Sequence, residues 1–202
     1  TYRCNEVIKV ILDSVSEDEC CQLLSITDDK MRWTSLHMSC WVGDTESVRV
    51  MLSHVNQEMR YSLLQMRDIN IDTPLHLATC YGHTDIMKAI HESVTQTQWI
   101  HLLQIKAYRK MTVLQKAVYW NKQSSIDTIR ESVSYQESIQ LLATPLPEYD
   151  WLIHDKKRYK QVVSWIDEMR AEARVVSALQ TANDSSMLSS QMNHTGLTDD
   201  LQ

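Results

Sequence analysis

The sequence predicts an all-α protein built as a solenoid of stacked helical repeats. Three observations lead to this prediction. Only three glycines and three prolines occur among 202 residues, which argues against a β protein with many tight turns. The good helix formers Leu, Gln, Glu, Met and Arg are abundant. Three segments of equal length also align without a gap at a period of about 39 residues, which is typical of a repeat array.

The overall composition limits the classes of protein to which this chain can belong. With 43% hydrophobic residues, the chain is long enough for one or two domains with a real core. A formal charge of −6 argues against nucleic acid as a partner, because binding to phosphate backbones depends on Lys and Arg. No apolar stretch approaches the length of a transmembrane helix, roughly 18 residues, so we expect no membrane span.

The cysteines indicate a reducing compartment. They are odd in number, and their spacing fits neither CxxC pairs nor a zinc pattern. We therefore expect free thiols in an intracellular, cytoplasmic protein. The chain begins with neither a start methionine nor a signal peptide, so we expect it to be a fragment of a longer protein. Residues 5–15 match the second helix of a repeat whose first helix is missing, so we expect the array to continue upstream. The five cysteines are Cys4, Cys20, Cys21, Cys40 and Cys80.

The three aligned segments are residues 34–55, 73–94 and 112–133. The middle copy reads TPLHLA from Thr73 and GHTDI from Gly82. It closely resembles the ankyrin repeat family, whose signature is a TPLHxA helix start and a glycine between two helices. The flanking copies are weaker, and the third has Asn121 in the place of that glycine. Asn is the next most tolerant residue of a left-handed backbone. The first copy keeps Thr34, Leu36, His37 and Gly43, and the third keeps Thr112, Leu114 and Ala117.

A segment ahead of each signature repeats as well. Its leucine pairs begin at Leu23, Leu63, Leu102 and Leu141, so they follow the same period to within one residue. The usual ankyrin repeat has about 33 residues, so we expect the additional six to lengthen this segment into a short third helix. Capping-box pairs predict where that helix begins, with Asn56 capping the remaining copy alone. These pairs are Ser16 with Glu19, Thr95 with Gln98, and Ser134 with Glu137.

Extending the register of about 39 residues in both directions divides the whole chain into repeat units. Val7, Ile8, Ile11 and Leu12 would be partly uncovered in the first unit, because repeats bury their apolar faces against neighbours. Downstream, Trp151 and His154 fall in register as a fourth, degenerate unit with Lys160 in place of the glycine, followed by a capping helix out to about Leu179. The predicted segments are the second helix of a truncated repeat (1–15), repeats one to three (16–55, 56–94 and 95–133), the degenerate repeat with its capping helix (134–182), and a disordered tail (183–202).

The same residues predict no catalytic residue, no cofactor and no metal. In this family the signature histidine ties one repeat to the next, and His37, His76 and His154 take that position. Cys80 and His83 have a suggestive spacing, but no second pair completes four metal ligands. No phosphate-binding loop or nucleophile motif occurs.

The resemblance implies that a partner binds the hairpin tips and the exposed side of the first helix. Aromatic residues are concentrated at these positions, and Trp, Tyr and Arg are the types that most often dominate binding energy. The alternative is that these aromatic side chains pack on one another or on the next repeat. Lys30 and Asp72 share these positions. The candidate partner-binding residues are Met31, Trp33, Trp41, Val42, Ile69, Asn70, Cys80, Tyr81, Tyr108, Arg109, Met111, Tyr119 and Trp120.

One departure from the family concerns the hairpin turn, where its usual glycine aligns with Arg32, Ile71 and Lys110. A β-branched residue is poorly suited to positive φ. Either the turn has another geometry, or each unit loses something on the order of 1 kcal/mol relative to a repeat with glycine.

Three functions are consistent with this pattern. The first is a monomeric scaffold or adaptor that binds a protein or peptide. The second is a regulatory or substrate-recruiting segment of a larger enzyme, channel or receptor. The third is a structural or vestigial array with no specific ligand, suggested by the weakened turns and the imperfect copies.

Overall fold

The computed structural model describes residues 2–143 and 156–195, which contain helices and no β-strand. Residues Tyr108–Lys110 form a single tight turn. The α-helices are α1 (Tyr2–Asp13), α2 (Glu17–Ser25), α3 (Ser35–Val42), α4 (Thr45–Ser53), α5 (Gln57–Leu64), α6 (Pro74–Tyr81), α7 (Thr84–Ser93), α8 (Gln96–Gln104), α9 (Val113–Tyr119), α10 (Gln123–Glu131), α11 (Tyr135–Leu142) and α12 (Lys156–Thr195).

The helices stack in columns. Helices α3, α6 and α9 pack in succession, and α12 packs on α9. Helices α1, α4, α7 and α10 form a second column beside the first. The short helix predicted ahead of each hairpin is present as α2, α5, α8 and α11, with α2 packed on α5 and α8 on α11. The predicted all-α solenoid with an extra short helix is therefore confirmed.

Side-chain caps begin most of these helices as the sequence predicts. The capping boxes of Ser16 and Thr95 are both formed. Asn56 caps α5 through its side chain, which accepts the amide of Met59 at 3.0 Å. Ser134 donates its amide to Glu137 at 2.6 Å, as predicted. Each cap satisfies amide groups that have no partner inside the helix.

The leucine pairs contribute to one continuous core. Leu63, Leu64, Leu102 and Leu103 are all buried, and burial of each side chain stabilises the fold by roughly 1.5–3 kcal/mol. Leu23 differs from these four, with 41% of its surface exposed.

In α1 the apolar face is only partly covered. Val7 and Ile11 are 58% and 48% exposed, as predicted, and Ile8 is partly buried against the core. The prediction was wrong for Leu12, which is 4% exposed. Leu12 is covered because α1 packs along α4. The Leu12 carbonyl also accepts a hydrogen bond from the Cys20 thiol.

The C-terminal part differs from the prediction in two ways. Trp151 and His154 lie outside the described residues, but α12 runs without a break past Lys160, where a turn between two helices was predicted. The helix also continues to Thr195, through most of the segment 183–202 that was predicted to be disordered. Extending an existing helix costs far less than nucleating one, so a polar stretch of low propensity does not end it.

Three hairpins connect the short helices to the first column, and they settle the question of the missing glycine. Arg32, Ile71 and Lys110 have φ of 56°, 62° and 52°. The backbone therefore stays left-handed at the position of the missing glycine in all three turns, so hairpins 1 and 2 support the alternative of a strained turn, whereas hairpin 3 differs in geometry as well. We name the hairpins by their closing hydrogen bonds, each 2.9 Å long: hairpin 1 (Asp28 amide to Trp33 carbonyl), hairpin 2 (Asp68 to Asp72) and hairpin 3 (Ala107 to Met111).

Local hydrogen bonds offset part of this strain in two hairpins. Asp28 accepts the amides of Lys30 and Met31 at 2.8 and 2.6 Å. Asp68 accepts those of Asn70 and Asp72 at 2.7 and 2.8 Å. Hairpin 3 has an alanine at this position and a second left-handed residue, Arg109, with φ of 60°.

The connections between first and second helices follow the prediction closely. Gly43 and Gly82 have φ of 84° and 80°, and Asn121 has φ of 54°. Asparagine therefore takes the left-handed role of the glycine in the third copy.

Candidate protein-binding face

The hairpins and the first-helix column together form one side of the molecule, which we call the hairpin face. It contains a pocket with a volume of about 500 Å³. Hairpins 1 and 2 contribute one wall, and the C-terminal ends of α3, α6 and α9 contribute the other. The lining residues are Met31, Trp33, Trp41, Asp68, Asn70, Asp72, Leu77, Cys80, Tyr81, Lys116, Trp120 and Lys122.

Half-exposed aromatic rings surround this pocket. Trp41, Tyr81 and Trp120 are 39%, 51% and 48% exposed, and they lie at the ends of successive helices in the first column. The ring of Trp41 packs on Trp33 at 5.3 Å between centroids and meets Tyr81 edge to face at 6.3 Å. Trp33, Trp41 and Tyr81 thus pack on one another and still expose surface to solvent. The structure therefore contains features of both sequence interpretations, an exposed aromatic surface and a packed aromatic cluster.

His83 holds the rim in place from behind. Its Nε2 donates to the Trp41 carbonyl at 3.2 Å, and its ring stacks on Tyr81 with an interplanar angle of 13°. Gly43 makes room for this ring, because a Cβ atom there would lie 2.7 Å from the imidazole. The position of the rim therefore depends on a glycine and a histidine that lie outside the pocket.

A buried ion pair lies at the floor. The Lys116 ammonium donates to the Asp72 carboxylate, and the two residues are 5% and 6% exposed. Burial raises the pKa of Asp72, and the neighbouring Lys116 acts in the opposite direction. The pair connects hairpin 2 to α9 across 44 residues of sequence.

Asp68 fixes the wall of the pocket. Its carboxylate accepts the indole N–H of Trp33 at 3.0 Å, in addition to the hairpin 2 amides. The amide of Ile69 also donates to the Met31 carbonyl at 2.9 Å. Hairpins 1 and 2 are therefore joined by both side-chain and backbone hydrogen bonds.

The signature histidines have a structural role. Nδ1 of His37 and of His76 accepts the amide of Thr34 and of Thr73, so the proton resides on Nε2. That Nε2 donates to a carbonyl of the following unit, at 3.2 Å for His37 and 3.1 Å for His76. Burial lowers the pKa of both rings, to about 3 for His76, which keeps them neutral.

The lining of the pocket includes the thiol of Cys80. Burial raises the pKa of the Cys80 thiol to about 11, so it stays protonated and is a poor nucleophile. Within residues 2–143 and 156–195, no group of three His, Cys, Asp or Glu side chains is placed to hold a metal ion. In the same ranges, no helix combines the length and the apolar character that crossing a bilayer requires.

Comparison with known families agrees with the geometry. Residues 70–94, from hairpin 2 through α6 and α7, match the family model of the ankyrin repeat. Residues 70–94 are therefore an ankyrin repeat. Ankyrin repeats are protein–protein interaction modules. No curated protein matches the sequence. The match covers one copy, so it does not test the predicted repeat length.

In this ankyrin-repeat protein, seven of the thirteen candidate residues line the pocket: Met31, Trp33, Trp41, Asn70, Cys80, Tyr81 and Trp120. Val42, Ile69 and Tyr108 lie outside it and are more than half exposed. Arg109 and Tyr119 are half-buried and contact each other at 3.5 Å.

The prediction was wrong for the accessibility of two hairpin-face positions. Met111 is 4% exposed and Asp72 is 6% exposed. Both directly precede the cap of a first helix, where the chain turns inward between neighbouring helices. Trp33, at the same position of the first copy, stays half-buried.

Sequence reasoning missed four lining residues, namely Asp68, Leu77, Lys116 and Lys122. One signal was present. Lys116 takes the position that is Met38 and Leu77 in the other copies, so a charge replaces an apolar residue in the first helix.

Proposed function

We propose that this ankyrin array is a scaffold or adaptor module that binds a protein or peptide partner on its hairpin face. The proposal rests chiefly on one observation, the row of half-exposed rings of Trp41, Tyr81 and Trp120 around a pocket of about 500 Å³. Large aromatic side chains with a well-defined position are the residues that most often anchor a protein interface.

The support for these rings favours binding over simple exposure. Trp33 is tied to Asp68, Trp41 is packed on Trp33, and Tyr81 is stacked on His83. Rings held in this way lose little conformational freedom when a partner covers them, and less lost entropy means a higher affinity. The pocket also offers polar groups at its floor that can orient a ligand.

The test uses a phage library of random dodecapeptides selected on the purified chain. We expect the variant Trp41→Ala, Tyr81→Ala, Trp120→Ala to bind the selected peptides at least ten-fold more weakly, with its helical circular dichroism and cooperative melt retained. The matched control replaces three exposed apolar residues elsewhere, Val10, Leu23 and Ile26, with alanine.

We expect the control variant to bind like the wild type. Equal binding by both triple variants would contradict the proposed face. Loss of circular dichroism or of the melt in the aromatic variant would show that these rings belong to the core, and the proposal would fail.

A further inference from the structure

The charges that line the pocket cancel one another. The lining contains two carboxylates, Asp68 and Asp72, and two ammonium groups, Lys116 and Lys122. Asp72 is paired with Lys116, and Asp68 already accepts the Trp33 indole and two hairpin amides. The lining is therefore neutral as a whole, and its charges favour neither an acidic nor a basic occupant.

The half-exposed rings around the pocket carry hydrogen-bond donors that the protein does not use. Trp33 and Trp99 each donate their indole N–H to a side chain, at 3.0 and 2.9 Å. The indole N–H groups of Trp41 and Trp120 have no acceptor among the described residues, and the same holds for the hydroxyl of Tyr81. These three residues therefore combine apolar ring surface with donors for a ligand.

The spacing of these rings matches one turn of a polyproline II helix. Trp41 and Tyr81 touch edge to face at 6.3 Å and form one contact surface, whereas Trp120 packs on Tyr119 at 5.2 Å. Trp120 lies at the end of α9, which packs beside α6, and the axes of packed helices are about 8–10 Å apart. A polyproline II helix repeats every three residues, or about 9 Å. Residues i and i+3 of such a peptide can therefore reach both ring surfaces.

Other peptide conformations fit these features less well. An extended strand places side chains on one face every second residue, about 7 Å apart. An α-helix spans about 10 Å between residues i and i+7, but its carbonyls are bonded internally and leave the ring donors without acceptors. A polyproline II backbone has no internal hydrogen bonds, so its carbonyls can accept from the rings. Spacing and donors together favour the polyproline II conformation.

We propose that the hairpin face binds a proline-rich segment of a partner protein in the polyproline II conformation, with two prolines three residues apart. One proline packs on Trp41 and Tyr81 and the other on Trp120, while the ring donors bind carbonyls of the peptide. Proline suits these contacts because it is uncharged, has no N–H of its own and fixes the backbone before binding. This inference rests on the proposed function, because it assigns the kind of partner that the hairpin face binds.

The dodecapeptide selection provides the test. We expect pairs of prolines at positions i and i+3 to be enriched several-fold over their frequency in the library. A synthetic peptide from the selection should bind at least ten-fold more tightly than the same peptide with both prolines replaced by alanine, measured by tryptophan fluorescence. The matched control keeps the composition but places the prolines at i and i+4. It should bind about as weakly as the alanine peptide, because these positions lie on different faces of a polyproline II helix.

Two variants of the protein test the hydrogen bonds from the rings. Tyr81→Phe removes one donor and keeps the ring, so it should bind the selected peptide about three-fold more weakly. The matched control is Tyr108→Phe, which removes a hydroxyl from an equally exposed side chain outside the pocket and should bind like the wild type. Raising the salt concentration from about 50 to about 500 mM should change the Kd less than about two-fold, because the lining is neutral. Equal binding by the two variants, or a strong salt dependence, would contradict the proposed contact.

The outcomes separate the two proposals. Selected peptides that need Trp41, Tyr81 and Trp120 but carry no proline pair would overturn the proline-rich partner and leave the binding face intact. Peptides whose binding is indifferent to these three rings would overturn the binding face itself.

Discussion

Ile71 illustrates how single residues set the stability of this protein. It is a β-branched residue at φ 62°, where a left-handed backbone costs roughly 1–2 kcal/mol for any residue other than glycine. Its side chain is 48% exposed, so its packing returns only part of that cost.

Ile71→Gly should therefore raise the free energy of unfolding by about 1 kcal/mol, after the greater freedom of glycine in the unfolded chain is subtracted. Urea denaturation measures this change. The matched control is Ile69→Gly in the same hairpin, at 57% exposure and without positive φ, which should destabilise the chain instead. If both variants lost stability, Ile71 would not be strained.

His76 makes stability depend on pH. Its pKa is about 3 in the folded chain and near 6.5 in the unfolded chain, so its contribution is complete above pH 6.5 and is lost as the pH falls toward 3. Below pH 6 the free energy of unfolding should fall by up to about 1.4 kcal/mol per pH unit because of this residue.

His76→Gln should reduce that slope by up to the same amount. Gln115 forms the equivalent capping box in the third copy, so the substitution keeps the cap. Urea denaturation between pH 7 and 5 measures both slopes. An unchanged slope in the variant would show that His76 is not held neutral.

At the scale of helices, signature residues and caps predicted most of the structure. Thr34, Thr73 and Thr112 each begin a helix, and Ser16 and Thr95 cap the short ones. These signals are local, so a single sequence can reveal them. The continuity of α12 could not be predicted, because it depends on propagation from an already formed helix and not on the propensity of the polar stretch itself.

Helix α12 should divide into a packed part and a dispensable part. Residues 181–187 are all exposed, so a chain that ends at Thr181 should melt within about 2 °C of the full chain. A chain that ends at Leu142 removes the helix that packs on α9 and α11. Uncovering even one leucine-sized side chain should cost about 2 kcal/mol.

Thermal denaturation followed by circular dichroism measures both truncations. Equal melting temperatures for the two truncated chains would show that α12 does not cap the stack.

For the whole molecule, the stacking direction and the face with the aromatic residues were predictable from the register, but the floor of the pocket was not. The pairing of Asp72 with Lys116 spans 44 residues and arises only when hairpin 2 meets α9. Burial of Met111 likewise depends on the neighbouring helices and not on its own position in the repeat. A sequence pattern identifies positions in a unit, whereas contacts between units decide which positions stay accessible.

The central claim is that a partner binds the hairpin face, and hydrogen–deuterium exchange with a selected dodecapeptide tests it most directly. We predict slower exchange in hairpins 1 and 2 and at the ends of α3 and α6 when the peptide is bound, with no change in α4, α7 and α10. Protection confined to the second-helix column, with the hairpins unaffected, would contradict the account.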